Sequence, residues 1–245
     1  MAGNPLLCAV GARARPGGEA GFRRRAQGLF RGIRIAPDYA WTYYNRARLY
    51  QRASAFDQSI ADFDAAIRLE PATALHFAMR GLSHHLNGND TRATADFKQA
   101  IRLKPEMTDS YLHRGQMRLT AGDHDGAITD FTNAIHFDPK EPRAYAGRAE
   151  AYQGNGEHER AIADAGDLVR LHPTSAWAHA LRATSYRATG DLDAAIADYS
   201  ETLRIDADFF PIHYERGILY RMKGDCELRA LGAEPGQGGV LDLLK

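Results

Sequence analysis

IRLEP at residues 67–71, IRLKP at 101–105, IHFDP at 135–139 and VRLHP at 169–173 are near-copies of one phrase, and their prolines stand 34 residues apart. A fifth copy, LRIDA at 203–207, has Ala207 where the proline would stand. A fixed period of this length means supersecondary units that bury their apolar faces on neighbouring units rather than in one central core. Working outward from the prolines, the units run 40–73, 74–107, 108–141, 142–175 and 176–209, and a sixth begins at Phe210. Counting each unit's first residue as position 1 puts the proline at position 32.

Other positions recur with it. Position 4 carries Tyr43, Phe77, Tyr111, Tyr145, His179 and His213; position 8 is small at Ala47, Gly81, Gly115, Ala149, Ala183 and Gly217. Position 20 is Ser59 or alanine (Ala93, Ala127, Ala161, Ala195), and position 24 is Phe63, Phe97, Phe131, Ala165 and Tyr199. Steps of three and four residues place each group on one helical face. Gly88, Gly122, Gly156 and Gly190 fall between the two groups, where a left-handed residue ends a first helix, A. The pattern therefore predicts an antiparallel helix pair. Position 8 faces 20, small on small, and position 4 faces 24, ring on ring. The proline then stops the second helix, B.

These residues resemble the tetratricopeptide repeat (TPR) family: a 34-residue unit, small at 8 and 20, aromatic at 4, 11 and 24, proline at 32. The resemblance implies an all-α fold, an α-solenoid of TPR helical hairpins in a right-handed superhelix, with helix A lining a concave groove. It also implies a non-catalytic scaffold that binds proteins or peptides. Inward-facing positions of helix A would then supply the partner-binding residues. In the first three units these are Trp41, Tyr44, Arg48, Arg52, Leu75, Leu82, His85, Leu86, Leu112, Gln116 and Leu119. In the next two they are Arg143, Glu150, Trp177 and Arg187. Leucines would make an apolar floor, tryptophans would anchor, and arginines would meet acidic flanks on an extended or helical ligand segment. The clamp by which some family members hold a peptide's C-terminal carboxylate is not matched, since its positions hold Tyr44, Arg48, Met79, Asp109 and His113.

One departure from the family is systematic. Position 7, usually apolar, is Arg46, Arg80, Arg114, Arg148, Arg182 and Arg216, while position 23 is Asp62, Asp96, Asp130, Asp164 and Asp198. The two positions face one another across a hairpin. They predict a structural ladder of arginine forks on carboxylates.

The ends are worn. Pro16-Gly17-Gly18 suggests a disordered tail over 1–19, followed by a half-repeat capping helix at 20–37. Residues 210–231 read as a degenerate sixth repeat with a break at Gly224-Asp225, and Pro235-Gly236 makes 232–245 an irregular tail. The last hairpin is thus poorly covered and offers a surface for self-association, which makes a self-assembling structural element the alternative function.

Lysine plus arginine equals aspartate plus glutamate at 31 each, which argues against nucleic acid as the main partner. No apolar run reaches the ~18 residues of a membrane span. The start of the chain lacks a basic export signal, so the cytoplasm is the expected compartment. No phosphate loop, nucleophile elbow or metalloprotease motif occurs, no enzyme activity is expected, and no metal or cofactor is called for. Neither the adjacent pair His84 and His85 nor His124 and His158, one unit apart, has metal-ligand spacing.

Overall fold

The computed structural model describes residues 16–230, with side chains for 24–224. Every regular element among them is an α-helix: α1 (Pro16–Ile35), α2 (Ala40–Arg52), α3 (Phe56–Leu69), α4 (Ala74–Leu86), α5 (Asp90–Leu103), α6 (Thr108–Thr120), α7 (His124–Phe137), α8 (Pro142–Gly154), α9 (His158–Leu171), α10 (Ala176–Thr189), α11 (Leu192–Ile205) and α12 (Phe210–Ala230). Each helix A starts at position 1 of its unit and each helix B spans positions 17 to 30. The chain packs as two compact units that divide between Pro139 and Lys140. In the first, α1 to α7 pack in chain order; in the second, α8 to α12 do so. Successive A helices also touch within a unit, α2 on α4, α4 on α6, and α8 on α10.

The hairpin core follows from the small and aromatic positions. Phe63, Phe97 and Phe131 are fully buried, each contributing about 2–3 kcal/mol of apolar burial. A Cβ added at Gly81 would sit 3.0 Å from the Phe97 ring, and one at Gly115 would sit 3.0 Å from Phe131. Position 8 is small because the ring at position 24 presses on it.

Turns between A and B helices use left-handed residues. Gly88, Gly122, Gly156 and Gly190 take φ of +77°, +79°, +75° and +83°. The first unit has no glycine there, and Ser54 adopts φ +56° instead. Asn89, Asp123 and Asp191 then cap their helices by accepting from the backbone N–H three residues on.

The ends differ from the sequence reading. α1 begins at Pro16 and runs through Gly17-Gly18, so residues 16–19 are helical rather than tail; proline suits a first helical turn, where its missing N–H has no partner to lose. Residues 1–15 and the tail at 232–245 lie outside the described residues. The break at Gly224-Asp225 does not form: α12 is one helix of 21 residues from Phe210 to Ala230. A left-handed glycine is stable when two helices close on each other behind it, and no helix B of its own unit packs on α12 among the described residues.

Candidate functional site

The arginine–aspartate ladder runs through five hairpins. Arg46 Nε and Nη2 donate to Asp62 at 2.7 and 2.6 Å. The same fork joins Arg80 to Asp96 (2.8 and 2.6 Å), Arg114 to Asp130 (2.9 and 2.5 Å), Arg148 to Asp164 (both 2.7 Å) and Arg182 to Asp198 (2.7 and 2.8 Å). The five aspartates are buried. Each guanidinium also lies 5.5–5.9 Å from the ring at position 4 or 11 of its own helix, which confines it from the flank. Arg80 reaches back to Asp64 at 2.6 Å and so ties two hairpins together. Arg118 adds a third bond to Asp130 at 2.9 Å. Among the described residues Arg216 has no carboxylate of this kind and donates to Ser200 Oγ at 3.1 Å.

The inner-face residues fall into three groups. Tyr44 and Leu112 are buried. Leu75 and Leu82 are half-buried against core clusters, so they support the A helices more than they face solvent. Trp41 (48 % exposed), Leu86 (49 %) and Trp177 (45 %) are open. Gln116 and Arg52 are exposed, and Leu119 and Glu150 are half-buried. Burial pushes the Glu150 carboxyl up from its ordinary range. Several other polar groups already have partners in the chain. His85 Nδ1 is 2.6 Å from Asp90 Oδ1. Arg143 forks onto Glu141 at 2.8 and 2.9 Å and holds that carboxyl below its ordinary range. Arg187 pairs with Glu215.

That last pair belongs to a set of clasps the sequence did not reveal. Gln51 Nε2 donates to Met79 O (3.0 Å) and Ser83 Oγ (2.8 Å) of the next helix A. Gln153 repeats this on Leu181 O (3.2 Å) and Ser185 Oγ (2.7 Å). At Gln51, Gln153 and Arg187, position 12 therefore joins one helix A to the next. Its signal was the recurrence of serine at position 10 of the following unit.

One cleft draws inner-face residues together. It lies between α1 and α2, measures about 640 Å³, and is lined by Arg25, Gly28, Leu29, Trp41, Tyr44, Asn45, Arg48, Leu49 and Arg52. Trp41 stacks on Tyr44 with centroids 4.7 Å apart and planes at 11°. Tyr44 Oη accepts from Arg48 Nη1 at 2.9 Å, and Asn45 Nδ2 donates to Trp41 O at 2.8 Å. The cleft thus has a braced aromatic wall and three guanidinium groups, and among the described residues no acidic side chain lines it. Arg25 comes from the capping helix; its role was invisible in a sequence read one repeat at a time.

Family models described as TPR repeat match residues 183–224, and models described as tetratricopeptide repeat match 118–184, 44–108 and 91–142. The chain belongs to the tetratricopeptide repeat family. Among curated proteins no sequence matches it. Among solved structures, this TPR chain is similar to YrrB, described as a TPR protein with an unusual peptide-binding site (17 % identity, TM-score 0.63, covering 78 % of this chain and 99 % of that one). It is also similar to MamA from Desulfovibrio magneticus RS-1 (18 %, 0.63, 70 % and 97 %). Yeast Tom70 matches at 17 % and 0.68, over 91 % of this chain and 47 % of Tom70. At these identities the likeness is one of fold. Among the described residues no helix is long and apolar enough to cross a membrane.

Proposed function

We propose that this TPR array is a non-catalytic scaffold that binds a polypeptide segment along the A-helix face of its first unit, with the α1–α2 cleft as anchor. The observation that carries the reading is the unneutralised Arg25–Arg48–Arg52 set beside an exposed, stacked tryptophan. Tryptophan and arginine are the side chains that most often dominate interface energetics. Three guanidinium groups without a lining carboxylate favour a ligand that brings acidic side chains. A segment with one aromatic or aliphatic residue against Trp41 and acidic residues on either side has the matching chemistry. The half-exposed Leu86 of α4 and the half-buried Leu119 of α6 extend the same surface. YrrB, whose description includes a peptide-binding site, supports the general reading as a relative in fold.

A direct test uses fluorescein-labelled peptides, one with leucine and phenylalanine flanked by glutamates, the other with the same residues flanked by lysines. The acidic peptide is expected to bind and to quench Trp41 emission. The double variant Arg48→Ala/Arg52→Ala should weaken binding at least tenfold, from lost charge-assisted bonds of about 1.5–3 kcal/mol each. Equal binding of both peptides, or unchanged affinity in the double variant, removes the cleft from the account.

A further inference from the structure

The first five A helices each hide one face beneath the helix B of their own unit; among the described residues the same face of α12 is uncovered, although α11 packs on its other side. Ala47, Ala149 and Ala183 at position 8 are 0 % exposed, and Tyr50 and Tyr152 at position 11 are 4 % exposed. On α12 the corresponding Gly217 is exposed and Tyr220 is 55 % exposed. A Cβ at Gly217 would meet nothing within 4 Å, whereas at Gly81 and Gly115 it would touch the position-24 ring at 3.0 Å. Arg216 stands in the ladder with its backward partner, Ser200 Oγ, in place. The forward carboxylate that every other ladder arginine holds is missing among the described residues. The face keeps the features of a helix-B seat: a small residue at the centre, a ring at one end and an arginine fork at the edge.

We propose that α12 docks an amphipathic α-helix of a partner protein, which completes the sixth hairpin in trans. The helix it fits carries a small residue, then an aspartate three positions later, then an aromatic. The small residue would meet Gly217, the carboxylate would take the Arg216 fork, and the ring would cover the glycine as Phe97 covers Gly81. Among the described helices, burial and charge favour this occupant over a second copy of the chain. The helices of this protein that carry the motif, such as α11 with Ala195, Asp198 and Tyr199, already bury those residues in their own hairpins. The capping helix α1 places Arg25, Gly28 and Leu29 at the equivalent positions. It would bring an arginine to the seat and no carboxylate for Arg216. This site is separate from the α1–α2 cleft and does not rest on the reading given to it.

The test titrates the full chain with a labelled peptide of the α11 sequence, residues 192–205, cross-linked between the exposed positions 193 and 197 to hold it helical. Saturable binding is expected. Gly217→Leu fills the seat and should abolish it, while leaving the melting temperature unchanged or higher, because the added atoms enter open space and leucine is the better helix former. Replacing the peptide's aspartate with asparagine should weaken binding about tenfold to the wild type, and have no effect on Arg216→Met. Absent binding, binding indifferent to Gly217→Leu, or equal loss on the Arg216→Met background overturns the proposal. So does a wild-type dimer in sedimentation that Gly217→Leu dissociates, which would assign the face to a second copy. A Gly217→Leu chain that melts earlier and binds nothing would assign it to the chain's own residues.

Discussion

Arg114→Ala probes the ladder at its most buried rung. Asp130 has a side chain 0 % exposed and receives Arg114 Nε and Nη2 at 2.9 and 2.5 Å. Alanine removes both bonds and leaves Asp130 with Arg118 Nη1 at 2.9 Å. Stripping the partner from a buried carboxylate costs about 3–5 kcal/mol. The remaining Arg118 contact keeps the loss near the lower end, about 3 kcal/mol, which lowers the melting temperature by roughly 10 °C for a unit of this size. Circular dichroism at 222 nm during heating reads it. Two controls isolate the cause. Arg114→Met with Asp130→Leu removes the charge from both sides and should recover most of the loss, because a buried pair is roughly neutral against apolar side chains of similar volume. Arg170→Ala breaks an exposed pair with Asp167 and should leave the melt unmoved. An Arg114→Ala chain that melts within ~2 °C of wild type refutes the argument that these forks hold the hairpins closed.

Two further substitutions follow from particular residues. Ser54→Gly should raise the melting temperature by a few degrees: serine at φ +56° carries a left-handed penalty of about 1 kcal/mol that glycine lacks, less the glycine's larger unfolded-state entropy; a lower melt would show that Ser54 is not strained. Glu150→Gln should stabilise the free protein at pH 7 and not at pH 4. Burial raises the Glu150 carboxyl above its ordinary range, so the folded chain holds that proton more tightly than the unfolded chain. The group's contribution is then complete at low pH and lost as pH climbs through the raised value. An equal gain at both pH values contradicts the assignment.

How much was legible in the sequence depends on the range of the interaction. The 34-residue phase placed every A helix at its first residue, because glycine, proline and the apolar period act within one unit. The ladder was legible for the same reason: Arg114 and Asp130 lie 16 residues apart on facing helices of one hairpin. Position 12 was not. Gln51 and Gln153 are held by a serine hydroxyl and a carbonyl of the next helix A, which one repeat read alone does not contain. Gly224 misled in the other direction. It has the same turn chemistry as Gly190, yet with no helix B of its own unit packed on α12 among the described residues the backbone stays helical. The cleft was half legible: Trp41, Arg48 and Arg52 follow from position alone, while Arg25 needed the angle at which α1 covers α2.

Hydrogen–deuterium exchange of the full chain with and without the acidic peptide decides whether α1 and α2 hold the ligand. The account predicts slowed exchange in α1 and α2 (residues 24–35 and 40–52), with the B helices α3, α5 and α7 unchanged. Protection confined to those B helices, or none in α1 and α2 at saturating peptide, would contradict it.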